Sequence, residues 1–131
     1  MPLSYKIEDG IVYLTVTGKV GIHEHNAFTE TWSSDPDLPD PVRILRDSRN
    51  ELDVSSSDVR QRIGFAETMP LPDQFRLAIL VDRDVTYGMS RMYQSLRPEE
   101  LESKMEMKIF RNLDEAREWL MQPSLEEETS G

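Results

Sequence analysis

The sequence predicts an α/β fold, a single-domain mixed β-sheet of about five strands with helices packed against it. Three observations carry that expectation. A β-hairpin pattern opens the chain, short apolar runs recur after it, and stretches of helical periodicity separate those runs. One domain suits 131 residues, a length that buries a core without disulfides. The domain is expected over residues 1–122, with 123–131 as an acidic, disordered tail.

Leu3, Tyr5 and Ile7 alternate with polar residues, as a half-buried strand does. Asp9-Gly10 forms a two-residue turn, since glycine accepts positive φ. Ile11 to Thr17 is apolar or β-branched throughout, the pattern of a strand covered on both faces, and Gly18 ends it. Residues 21–33 read as a helix with Ile22, His25, Phe28 and Trp32 on one arc. Pro36, Pro39 and Pro41 make 34–41 a loop, and Val42 to Leu45 is the next strand.

A polar loop with Asp47 and Ser48 follows, then a helix over 57–68 that buries Val59, Ile63 and Ala66. Pro70 and Pro72 stop it. Phe75 to Val81 is too apolar to face water and reads as a central strand. Asp82-Arg83-Asp84 turns the chain into a helix over 86–96, with Met89, Met92, Tyr93 and Leu96 on one arc and Tyr87 and Arg91 opposite. Pro98 suits the first turn of a short helical piece. Met105, Met107 and Ile109 alternate in a last strand closed by Phe110. Asn112 caps a final helix, with Asp114 and Glu115 at the positive end of its dipole.

The net charge is −10. An acidic body repels nucleic acid and anionic lipid, so no nucleic-acid partner is expected. Arg43, Arg46 and Arg49 are the densest basic set, and Asp47 and Glu51 interrupt it. No apolar run approaches the ~20 residues that cross a bilayer, and MPLSYKIEDG lacks the apolar core of a signal peptide. The absence of cysteine suits a reducing compartment. A soluble cytoplasmic protein without stable membrane insertion is expected.

Three segments, in order, resemble one family. They are Ile11 to Gly18, then RLAILV at 76–81 with YGMSRM at 87–92, and then IFRNLDEAREWL at 109–120. Together they are similar to the SpoIIAA-like family of the STAS superfamily, whose shape is also similar to CRAL-TRIO lipid-binding domains. The resemblance spans residues 3–121 and implies a regulatory or protein-binding module. In STAS anti-anti-sigma proteins, a strand leads to an Asp-Ser-Ser-Gly motif at a helix start, and its second serine is phosphorylated. Laid on this chain, Ser57 takes the phosphoacceptor position with Ser56 before it. Ser55 and Asp58 stand where that motif has Asp and Gly. By local chemistry alone Ser57 reads as the helix cap.

The other candidates follow from position. Asp47, Ser48, Asp82 and Asp84 lie at the ends of apolar strands, where ligands gather in parallel sheets. Tyr87 and Arg91 pair an aromatic with a guanidinium for a partner contact. Met89, Met92, Met105 and Met107 could line an apolar pocket or fill a core. His23 and His25 are two apart on a helix and point away from each other, so no metal site is expected. There is no nucleophile elbow, phosphate loop or dinucleotide fingerprint, hence no named catalytic residue and no cofactor. The leading expectation is a non-enzymatic protein-binding module. The alternatives are a carrier or sensor of a small apolar or lipid-like ligand held beneath helix 86–96, and an enzyme using the strand-end acids. An open hairpin edge is compatible with a homodimer.

Overall fold

The computed structural model describes residues 2–69, 72 and 74–123. The expected acidic tail from residue 124 and the expected stop at Pro70 lie outside them. The chain runs β1 (Leu3–Glu8), β2 (Ile11–Gly18), α1 (Ile22–Ser33), β3 (Val42–Glu51), α2 (Ser56–Thr68), β4 (Phe75–Leu80), α3 (Asp84–Leu96), α4 (Glu99–Lys104), β5 (Met105–Phe110) and α5 (Leu113–Met121). The five strands form one mixed sheet in the order β1-β2-β3-β4-β5. Only β1 is antiparallel to its neighbour. Asp9 and Gly10 both take positive φ, 53° and 79°, which gives the hairpin the turn its strand twist favours.

Strands are added in one direction, so crossovers of one hand place their helices on one face. Trp32 of α1, Ala66 of α2, Tyr93 of α3 and Leu101 of α4 pack there against Val12, Leu14, Ile44 and Ile79. Ala116 and Leu120 of α5 pack on the opposite face against Ile11, Leu45, Ala78 and Leu80. β2 is therefore covered on both faces only where it begins: Ile11 and Val12 are buried, whereas Thr15 and Thr17 are exposed. The nine-residue α5 does not reach far enough to cover them.

β3 departs most from the expected element. It does not end at Leu45 but continues through Asp47 and Ser48 to Glu51. Its pairing with β2 slips on the way: Thr15 opposes Asp47, but Thr17 opposes Asn50. β3 thus carries one extra residue, a bulge. Simple alternation from Arg46 and Ser48 would turn Glu51 to the α5 face. The bulge restores it to the α1–α3 face, where it is buried.

Candidate functional site

Glu51 is the centre of a buried ionic cluster. Its side chain is 3% exposed and accepts from Arg46 Nη2 at 2.9 Å and from Arg62 Nη1 of α2 at 2.8 Å. Arg46 also donates to Ser48 Oγ at 3.2 Å and to His25 Nε2 at 2.9 Å. A guanidinium only donates, so Nε2 of His25 accepts and the imidazole proton resides on Nδ1. Burial, then Arg46 and Arg62, lower the His25 pKa to about 3. Burial alone would raise the Glu51 carboxyl, but the two guanidiniums outweigh it and bring its pKa to about 2. The cluster therefore holds two cations, one anion and a neutral imidazole.

A cavity of about 130 Å³ opens beside this cluster under α1, α2 and α3. Phe28, Trp32, Phe65 and Met89 supply much of its apolar wall, and Arg62, Thr86, Ser90 and Tyr93 give it polar ground. The buried arc of α3 is Thr86 and Ser90 rather than the expected methionines and leucine. Met89, Met92 and Tyr93 flank that arc half-buried, and Leu96 is exposed. Of the four expected pocket methionines, Met89 and Met105 line the cavity. Met107 fills the core, and Met92 lies outside the lining. Among the described residues, no group of three or more His, Asp or Glu side chains is placed to hold a metal.

The serine triplet is set differently from the expectation. Ser55, not Ser57, caps α2: its hydroxyl accepts from Asp58 N at 3.1 Å, and its own N–H donates to Asp58 Oδ2 at 2.9 Å. This reciprocal pair is a capping box, and it holds the Asp58 carboxyl below the usual range. Ser56 and Ser57 fall inside the first turn and are exposed. Neither is the cap because the box requires the acid three residues after the serine.

The strand-end residues do not converge on one point. Ser48 is a buried strand residue rather than part of a loop. Asp47 lies on β3, and both its oxygens are engaged by Arg49. Asp82 is exposed beyond β4 and acts on the same Arg49 through its charge. Asp84 instead binds Arg111 at 2.8 Å. That same Arg111 lies 5.0 Å from the ring centroid of a half-buried Tyr87, while Arg91 stays exposed. Tyr87 is thus engaged by Arg111, with Arg91 one turn further along α3. Arg43, Arg46 and Arg49 do not form one basic patch: Arg43 donates to the Leu120 carbonyl on the α5 side, and Arg46 is in the ionic cluster.

The SpoIIAA-like family model matches residues 11–121, from the start of β2 to the end of α5. The chain belongs to the SpoIIAA-like family. Two solved structures share this SpoIIAA-like fold over nearly the whole chain. An uncharacterized protein with a SpoIIAA-like fold from Shewanella loihica superposes with a TM-score of 0.60 at 16% identity, covering 90% of this chain and 91% of that one. An anti-sigma factor antagonist from Mycobacterium paratuberculosis gives 0.60 at 13% identity, covering 92% and 93%. At such identities the likeness is one of fold. No curated protein matches the chain.

The SpoIIAA-like domain also carries a buried ionic cluster that sequence reasoning missed. Arg46, Glu51 and Arg62 look like ordinary surface charges in sequence, and His25 looks like a packing residue. The available signal was an acid and two arginines flanking a strand-to-helix junction. It becomes readable only when the bulge brings them to one face.

Proposed function

We propose that this SpoIIAA-like domain is a non-enzymatic regulatory module that binds a protein partner. Its contact surface would be the end of the sheet where β3 passes into α2 and β4 into α3. The observation that carries this reading is a pair of exposed apolar side chains there, Leu52 at 45% and Val85 at 65% exposure. Apolar side chains at a polar rim are the common anchors of protein contacts. The Arg83 guanidinium donates to the Glu51 carbonyl, which ties the start of α3 to the end of β3 and makes the two segments one surface. The fold likeness to an anti-sigma factor antagonist supports the same reading.

Ser56 and Ser57 border this surface. A phosphate on either would add up to two negative charges beside Leu52, at the positive end of α2. The domain would thereby lose an apolar docking rim when modified. The lack of cysteine suits action in a reducing cytosol.

The test is quantitative capture from the extract of the source organism. Leu52→Asp/Val85→Asp should lose at least ~10-fold of a species bound by wild type, the cost of a lost apolar anchor. Its melting temperature should be unchanged, because both side chains already face water. Ser57→Asp should weaken the same capture, and a phosphopeptide covering residues 50–60 should be recoverable. If the double variant retains every bound species, the surface is wrong. If Ser57→Asp behaves as Ser57→Ala, the switch is wrong and the surface stands.

A further inference from the structure

We propose that the cavity under α1–α3 binds a small organic monoanion, a carboxylate on a single ring or short chain, with Arg62 and Tyr93 holding the carboxylate. Charge is the first ground. Arg46 and Arg62 contact one carboxylate, Glu51, and His25 is neutral, so the direct contacts of this mostly buried cluster leave one positive charge over, with Asp58 acting on Arg62 only through its charge. Such a charge is costly unless it is paired. One carboxylate balances it, and a dianion would overshoot.

The second ground is unused donors. Arg46 donates from each of its three nitrogens, to Ser48, His25 and Glu51. Arg62 is only 11% exposed, yet it donates to Glu51 through Nη1 alone. Among the described residues, its Nε and Nη2 have no hydrogen-bond partner, and neither has the Tyr93 hydroxyl. Both side chains line the cavity. A guanidinium edge with a phenol nearby is a fitting receptor for a carboxylate.

Size and wall give the rest of the ligand. At about 130 Å³ the space is close to the roughly 150 Å³ cavity that accepts benzene. It holds a ring or a short chain. Phe28, Phe65, Trp32 and Met89 supply the apolar contact. The space exists because α3 turns Thr86 and Ser90 inward, where larger side chains would fill it.

Calorimetric titration of the full chain with benzoate and with hexanoate tests this, with benzyl alcohol and hexanol as neutral matches. Saturable one-to-one binding of the acids is expected, with the alcohols at least about tenfold weaker, as loss of a charged hydrogen bond implies. Arg62→Gln keeps a donor for Glu51 and removes the surplus charge, so it should weaken acid binding by about tenfold or more. Tyr93→Phe should weaken it by a smaller factor. Ser90→Leu fills the space and should abolish binding while the protein remains folded. It keeps the test decisive should Arg62→Gln fold poorly. Equal binding of acids and alcohols would overturn the proposal, as would no saturable binding at millimolar concentrations. Undiminished binding by Ser90→Leu would place any binding elsewhere and overturn it too.

Discussion

His25 is kept neutral by its burial and by the arginine that touches it, and this sets how the protein meets acid. Its ordinary pKa is 6.5, and burial together with Arg46 and Arg62 lowers it to about 3 in the fold. Between these values the unfolded chain takes up a proton that the folded chain refuses, so stability falls as pH falls. Glu51 acts with the same sign in a lower window, from 4.5 down to about 2. Stability from these two groups should be complete above pH 6.5 and decline by about 1.4 kcal/mol per pH unit through the His25 window. It should decline more steeply once Glu51 joins. Urea midpoints against pH measure this. His25→Gln retains an acceptor for Arg46 without a titrating ring, so its profile should be flatter between pH 6.5 and 4.5 and still drop below. A variant profile parallel to wild type would show that the imidazole is not the source.

At the scale of elements, β3 and α2 show what the sequence discloses and what it withholds. The apolar half of β3, Val42 to Leu45, was legible because its environment is apolar and its residues are too. Its polar half was not. Arg46 can lie part-buried and Glu51 buried on this strand because His25 and Arg62, from α1 and α2, partner them. Periodicity read along one segment cannot contain a partner from another. The same limit hid the rotation of α3, whose arc was drawn from residue type, whereas the packing turned Thr86 and Ser90 inward. The hairpin and the Asn112 cap depend only on neighbours in sequence, and both stand as read. The α2 cap was equally local. The Ser55–Asp58 spacing is a box pattern in plain sight, two residues before the cap expected at Ser57. Ser55→Ala should therefore cost about 1 kcal/mol in chemical denaturation, and Ser57→Ala only a few tenths. Equal losses at the two positions would refute the cap assignment.

Across the whole molecule the two sheet faces are unequally secured. Among the described residues, four helices and the ionic cluster hold one face, and α5 covers the other. At nine residues α5 is shorter than the ~12–15 that an isolated helix needs, so tertiary contacts supply its stability. Ala116 and Leu120 are fully buried, but the end of the helix depends on two arginines from the sheet. Arg43 donates to the Leu120 carbonyl, and Arg76 donates to the Trp119 carbonyl at 2.9 Å. Arg76 also lies 5.3 Å from the Trp119 ring centroid. These carbonyls lie at the negative end of the helix dipole, where Trp119 O accepts only a long bond from the Gln122 N–H at 3.3 Å, so a cation strengthens both their bonding and their charge balance. Arg76→Met keeps an apolar stem on Trp119 and removes the donors. It should cost about 1–2 kcal/mol, the usual loss for a part-buried charged hydrogen bond. That loss should appear first as faster amide exchange in residues 113–121, with α1, α2 and α3 protected as before. α5 would then be a local unfolding unit, able to uncover Leu45, Ala78 and Leu80 while the opposite face stays closed. Exchange rising equally across all helices would instead mean that the two faces open together and that α5 is no more separable than the rest.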